Sequence, residues 1–221
     1  MKTIPTLLTT TQAEFIEQMQ LFQPHYARIQ LDIGDGQLVP NTTTQISDIK
    51  SMLENNEVSL TSTFDFHLMV QDYAGALEEI RELQKIGMQV DTALINAGLK
   101  PQIDRLQTQY EFKLGLDVFP EVTIPQITTQ YDLSQIETIQ IMTVNPGFQG
   151  SPFLPEMLLK IKELRKQNYA GSIMIDGGVN GNTIPTISSK EHKPDYICIG
   201  SYLTKAGADL ETRIEELKKL E

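Results

Sequence analysis

Three observations predict an α/β protein built as a (β/α)8 barrel. Apolar strand-like segments alternate with helical ones eight times in 221 residues. No Gly-x-Gly-x-x-Gly follows the first strand, which argues against a doubly wound dinucleotide fold. Polar and glycine residues gather where strands should end, and barrels of this class place their chemistry at those ends. No break in composition or linker divides the chain, so residues 1–221 read as a single domain.

The first strand is expected over 3–8, and Thr11-x-x-Glu14 is a capping box opening a helix to Phe22. Strand two covers 27–33, with a helix at 45–54, and strand three lies within 58–68. Asp72 caps a helix over 73–86, where Leu77, Ile80, Leu83 and Ile86 recur at helical spacing and Gly87 stops it. Strand four covers 90–96, and a helix follows from Pro101 to about Tyr110. Strand five is 112–118, with a short helix at T-I-P-Q-I; strand six is 138–144. An amphipathic helix over 155–167 leads to strand seven at 172–175 and a short helix at 182–188. Strand eight is 196–199, and an amphipathic helix over 210–220 closes the chain.

Hydrophobic residues at 40% and charged residues at 21% are globular values, so a packed core is expected. A net charge of −11 argues against nucleic acid and anionic membranes as partners. No apolar run reaches 18 residues, and the start M-K-T-I-P-T-L-L-T-T-T is too short in its apolar run for a signal peptide. The one cysteine, Cys198, excludes an internal disulfide, suits a reducing cytoplasm and reads as a buried strand thiol. Assembly into a homo-oligomer is compatible with all of this.

The stretch I-Q-L-D-I-G-D-G-Q-L-V-P-N (29–41) is a strand that ends in a carboxylate and a glycine turn. Alternation along the strand puts Gln30, Asp32 and Gly34 on one face. Alone, Asp32 reads equally well as a turn cap. Reading the other strand ends adds Thr6, His67 with Met69, Asn96, Asp117, Met142 with Asn145, Asp176, and Gly200-Ser201. No lysine or arginine stands among them, which argues against Schiff-base chemistry.

Three late strand ends are glycine-rich: Asn145-Pro-Gly-Phe-Gln-Gly150, Asp176-Gly-Gly-Val179 and Gly200-Ser201. Successive amide N–H groups in such loops form a positive nest, so an acidic protein can hold a phosphate without a cationic side chain. Asp32 and Asp176 then face each other across the barrel mouth, placed to take a proton from one face of a bound carbon and return one to the other. His67 alone of the three histidines sits at a strand end, and beside two aspartates it reads either as structural or as a metal ligand.

L-D-I-G-D-G-Q-L-V-P-N, D-F-H-L-M-V, I-M-T-V-N-P-G-F-Q-G, I-D-G-G-V-N and the late I-G-S together resemble the ribulose-phosphate 3-epimerases, including the allulose-6-phosphate 3-epimerases. The likeness runs over nearly the whole chain in the right order. It implies metal-assisted epimerisation at C3 of a ketose 5- or 6-phosphate, a small sugar phosphate as the substrate, and one divalent metal ion (Zn, Mn, Mg or Fe). By that likeness Asp32 and Asp176 match the acid/base aspartates, which also bind the metal, and His67 matches a ligand histidine. Met69 and Met142 match methionines lining the site. Gly147, Phe148, Gln149, Gly150, Gly177, Gly178, Gly200 and Ser201 match the phosphate grip, and Thr6 stands for the strand-one serine.

The departures are specific. A further metal-ligand histidine of the family is Gln30 here, whose amide oxygen suits hard cations better than zinc. The methionine after the first aspartate is Gly34, and the phosphate loop ends Gln149-Gly150-Ser151. These changes motivate a competing expectation of a sugar-phosphate binding barrel without turnover. A decarboxylase or aldol-type synthase of the same phosphate-barrel group is a weaker one, since Asp32-Ile-Gly-Asp35 lacks the lysine those enzymes use.

Overall fold

The computed structural model describes residues 1–146 and 150–220. Among them, eight parallel strands close in sequence order into a barrel: β1 (Lys2–Leu7), β2 (Arg28–Gly34), β3 (Thr63–Met69), β4 (Gln89–Asn96), β5 (Lys113–Val118), β6 (Thr138–Met142), β7 (Ser172–Asp176) and β8 (Tyr196–Ile199). The ring closes where β1 pairs with β8. Parallel neighbours need a crossover, and the helices supply it. They are α1 (Gln12–Phe22), α2 (Ile46–Glu54), α3 (Tyr73–Lys85), α4 (Ile103–Gln107), α5 (Ile124–Gln130), α6 (Leu159–Lys166), α7 (Ile184–Ser188), α8 (Ser201–Thr204) and α9 (Leu210–Lys218).

Local chemistry sets most helix starts. The Thr11 hydroxyl accepts from Glu14 N at 3.2 Å, while the Glu14 carboxylate reaches one residue further back than expected, to Thr10 N at 2.8 Å. Asp72 caps Gly75 N, and Thr123 with Gln126 forms a reciprocal box at α5. Several boundaries move. The helix expected from Pro101 to about Tyr110 shrinks to α4, because the Gln107 side chain leaves the helix to bond Phe112 O and Leu114 N of the incoming strand. Strand six stops at Met142 because the Thr143 carbonyl is taken by Leu154 N, which draws the chain off the ladder. The 155–167 helix opens as a tight 3-10 turn at Pro155–Leu158 before α6. The four-residue α8 was not foreseen.

Outward strand residues such as Ile29, Phe64, Phe66, Ile139 and Ile173 meet the apolar faces of the helices in one continuous core. Inside the barrel a small plug of Ile4, Leu94, Met174 and Cys198 fills the waist. One alternation further along, the same strands bring Thr6, Asn96, Asp176 and Gly200 to the mouth. The interior is unusually polar, with Gln30, Asp65, His67, Thr92, Asp117 and Gln140 all fully buried.

At the opposite end, Arg28 grips the buried Asp65 with two bonds of 2.8 and 2.9 Å, pairs with Asp91 at 2.8 Å, and stacks on Tyr196. Burial pushes the Asp65 carboxyl up to about 6 although Arg28 opposes it. A raised acid favours the protonated folded state, so this contribution to stability is complete below its ordinary 3.8 and is lost as pH rises through about 6. Arg28→Met strands the carboxylate. In urea denaturation it should cost about 3–5 kcal/mol at pH 8 and distinctly less at pH 5, where Asp65 takes up a proton. An equal cost at both pH values would mean that Arg28 acts by packing alone.

Candidate functional site

The barrel register builds the site. Asp32 of β2 lies directly opposite His67 of β3, and Asp176 of β7 lies opposite Met142 of β6 and Cys198 of β8. Closure carries β7 round to β2, so His67 Nδ1 stands 3.1 Å from Asp32 Oδ1 and 3.5 Å from Asp176 Oδ2. All three side chains are buried at the floor of a cleft in the barrel mouth. Beneath them Gln30 turns its amide Nε2 to Asp32 (3.3 Å), Asp176 (3.2 Å) and the Thr6 hydroxyl (3.4 Å). Its Oε1 faces away and accepts from Cys198 Sγ at 3.4 Å. In this arrangement Gln30 supplies donors to the carboxylates rather than an oxygen ligand.

The charges are tightly linked. Burial alone would lower the His67 pKa, but the Asp117 charge and contacts with Asp117, Asp176 and Asp32 outweigh it and hold the imidazole well above its ordinary value. Burial and the neighbouring Asp32 push the Asp176 carboxyl up, against the pull of His67. Burial likewise raises Asp117 despite His67. Buried negative charge around a single imidazole calls for more positive charge than one proton provides.

Met69, Met142, Val144 and Leu8 form one wall of the cleft. Val39 and Phe119 pack on these residues. Gly150, Ser151, Gly177, Gly178, Val179, Gly200 and Ser201 line the other side. Gly177 and Gly178 adopt φ of +110° and +67°, which side-chain-bearing residues rarely take. The Gly178 carbonyl accepts from Asn180 Nδ2 and the Thr183 hydroxyl, both at 2.9 Å. The Thr143 hydroxyl lies 2.6 Å from Gly177 O and 2.9 Å from Asp176 O, pinning the acidic end to the glycine end. Gly147, Phe148 and Gln149, also expected in the grip, lie outside the described residues.

Sequence reasoning missed Thr143, Asn180 and Val39 as members of this site, and it placed Asp117 at a strand end without a role. Asn180 carried a signal, a side chain able to cap the turn after two glycines. Lys160 was missed too: it reaches in from α6, is buried, and donates to Phe119 O and Pro120 O behind the wall.

A sequence model of the Ribulose-phosphate 3 epimerase family matches residues 2–204. The chain belongs to the ribulose-phosphate 3-epimerase family. It is 27% identical to the ribulose-phosphate 3-epimerase of Helicobacter pylori over 100% of this chain and 98% of that one. It is 30% identical to the Mycobacterium leprae ribulose-phosphate 3-epimerase over 71% of this chain and 68% of that one. Among solved structures, 3-hexulose-6-phosphate synthase from Salmonella typhimurium superposes with a TM-score of 0.63 at 15% identity, covering 99% and 97% of the two chains. At that identity the likeness is one of fold, and it agrees with the expected (β/α)8 barrel. The expectation of a carbohydrate epimerase agrees with the names of these relatives. No helix among the described residues is long and apolar enough to cross a membrane.

One departure from the family pattern now has a physical cause. After β2 the chain folds back, Thr43 N bonding Gly34 O and Asn41 O accepting from Gly36 N. A Cβ on Gly34 would lie 2.7 Å from Asn41 O, so a methionine there is excluded by this loop, which instead lays Val39 over the mouth.

The donor set suits a divalent ion. Asp32, His67 and Asp176 each offer one ligand atom, all within 4.8 Å of one another, and two carboxylates with an imidazole match a borderline or hard cation. Gln30 sets its Nε2 against two of these ligands, Asp32 and Asp176. Gln30→His should therefore tighten zinc binding by at least ~10-fold in chelator competition at fixed pH. Unchanged affinity would mean that position 30 does not converge on the triad.

Proposed function

We propose that this chain interconverts the C3 epimers of a ketose phosphate, either ribulose 5-phosphate and xylulose 5-phosphate or a hexulose 6-phosphate. The observation that carries the reading is the pair Asp32 and Asp176, delivered by β2 and β7 to either side of His67 Nδ1 at the floor of one cleft. Inverting a carbon requires one group to remove a proton and a second to add one from the opposite face. Two carboxylates across a mouth do this; one alone does not. Asp176, whose carboxyl is raised by burial and by Asp32, serves as acid to one epimer while Asp32 serves as base, and the roles reverse for the other.

The remaining residues bind and shield. Gly177, Gly178, Gly200, Ser201 and Gly150 hold the phosphate through backbone amides, with Asn180 and Thr183 fixing the Gly178 carbonyl. Met69 and Met142, backed by Val39 and Phe119, cover the reacting carbons and exclude water. Asp32, His67 and Asp176 would hold one divalent cation, with Zn, Mn, Mg and Fe all compatible with these donors. Bound there, it would stabilise the negative charge that develops on the substrate oxygens when the C3 proton leaves. Gln30, donating to both carboxylates, keeps them aimed inward. The intact carboxylate pair is what supports turnover over binding alone.

The test is conversion between the C3 epimers, followed by NMR with divalent ion supplied. Asp176→Asn and Asp32→Asn should each lower turnover by at least ~100-fold while phosphate affinity is kept. Ketose 5- and 6-phosphates that bind but never epimerise would falsify the enzyme reading in favour of the binding one. Gly178→Val, forced into an unsuitable φ with its Cβ 3.0 Å from Phe153, should raise KM or abolish binding. Unimpaired binding of inorganic phosphate by that variant, with native circular dichroism, would move the phosphate site elsewhere.

A further inference from the structure

His67 has a second nitrogen, and it faces a carboxylate of its own. Nε2 lies 3.0 Å from Asp117 Oδ2 of β5, and both side chains are fully buried. Among the described residues this is the one ion pair Asp117 makes. Neither Asp117 oxygen has an aligned hydrogen-bond donor, and His67 Nε2 likewise lacks an aligned acceptor, so the contact is close but not yet directed. Its register neighbours are the neutral amides Asn96 and Gln140. Gln140 Nε2 is turned to Met142 Sδ, and the Lys160 amine is committed to Phe119 O and Pro120 O. A carboxylate this buried and this poorly satisfied does not stabilise a barrel. It needs another reason to be there.

The two ring nitrogens have separate duties. Nδ1 belongs to the Asp32–Asp176 side, where its lone pair must be free if a cation is bound. That requires the neutral tautomer with its proton on Nε2, the nitrogen beside Asp117. A carboxylate behind a ligating histidine fixes that tautomer, sets the ring orientation and raises the basicity of the ligating nitrogen. We propose that Asp117 is the positioning residue of the site, holding His67 with Nε2–H toward β5 so that Nδ1 is presented to a divalent cation. With a cation held by Nδ1, the Nε2–H would be the donor available to Asp117 Oδ2 at this 3.0 Å contact. The role rests on the metal-assisted reading above.

The measurement is cation affinity, not turnover. With Co²⁺ or Zn²⁺ in chelator competition at fixed pH, Asp117→Ala should bind ~10–100-fold more weakly than wild type. Asp117→Asn, whose amide oxygen still accepts from Nε2–H, should fall between the two. The metal-free Asp117→Ala protein should keep the native circular dichroism, so that the affinity is read on a folded site. A residue that merely held up the fold would show the reverse, a lowered Tm with affinity unchanged, and that result overturns the proposal. Wild type alone gives an independent arm if a variant does not fold. In ¹⁵N-histidine protein loaded with ¹¹³Cd²⁺, the cadmium coupling should appear on His67 Nδ1, with the proton on Nε2. Coupling to Nε2 overturns the proposal. A wild type that binds no divalent ion overturns it together with the metal part of the functional reading, whereas wild-type binding with unchanged Asp117→Ala affinity overturns the Asp117 role alone.

Discussion

Two carboxylates buried a few ångströms from one imidazole cannot all keep their charges without help, and this constraint organises the rest of the molecule. Asp32 and Asp176 flank His67 Nδ1 at 3.1 and 3.5 Å with almost no exposure to water. Left to themselves, such groups are destabilising, because desolvation exceeds what the pair recovers. Donors therefore converge on them. Gln30 offers its amide hydrogens to both carboxylates, and the triad leaves its ligand atoms grouped for a cation. The closed barrel makes the grouping affordable in structural terms: every strand is hydrogen-bonded on both sides, so the floor that carries these charges is rigid.

The other half of the cleft solves the opposite problem. In the proposed reaction a chain with net charge −11 would have to hold an anion close to two carboxylates. In that reading the backbone at Gly177, Gly178 and Gly200 would supply partial positive charge, and among the described residues lining the cleft there is no lysine or arginine to pair with Asp32 or Asp176. Thr143 ties the two halves, since its hydroxyl reaches both the Asp176 and Gly177 carbonyls. The apolar wall between β3 and β6 would separate the reacting carbons from solvent in the proposed reaction, and Val39 packs on it from a loop that only Gly34 allows to fold back.

Much of this was legible in the chain. Period-two alternation placed Gln30 with Asp32, and the glycine pair after Asp176 marked a strand end, so both carboxylates were located at strand ends, while their pairing as acid and base drew on the family resemblance as well. Cys198 was read as a buried strand thiol from its apolar neighbours, and it is buried. What escaped was chemistry between strands that are not neighbours. Asp117 was visible as a strand-end carboxylate, but nothing in local spacing says that β5 points it at the far nitrogen of a histidine on β3. Gln30 was placed beside the carboxylates by alternation, but sequence shows an amide without saying which end faces them. The helix expected from Pro101 to about Tyr110 was over-extended for a related reason: the Gln107 side chain bonds the next strand, and helical spacing does not reveal that competition.

The central claim is that two carboxylates serve opposite faces of one carbon, and the fate of the C3 hydrogen tests it most directly. In deuterated solvent, early in the reaction, product epimer should carry deuterium at C3 while remaining substrate keeps protium. The group that removed the proton is then not the one that delivers its replacement. Product that retains the original hydrogen, or substrate and product exchanging at equal rates from the start, would mean that a single group works on both faces, and the assignment of Asp32 and Asp176 as partners would be wrong.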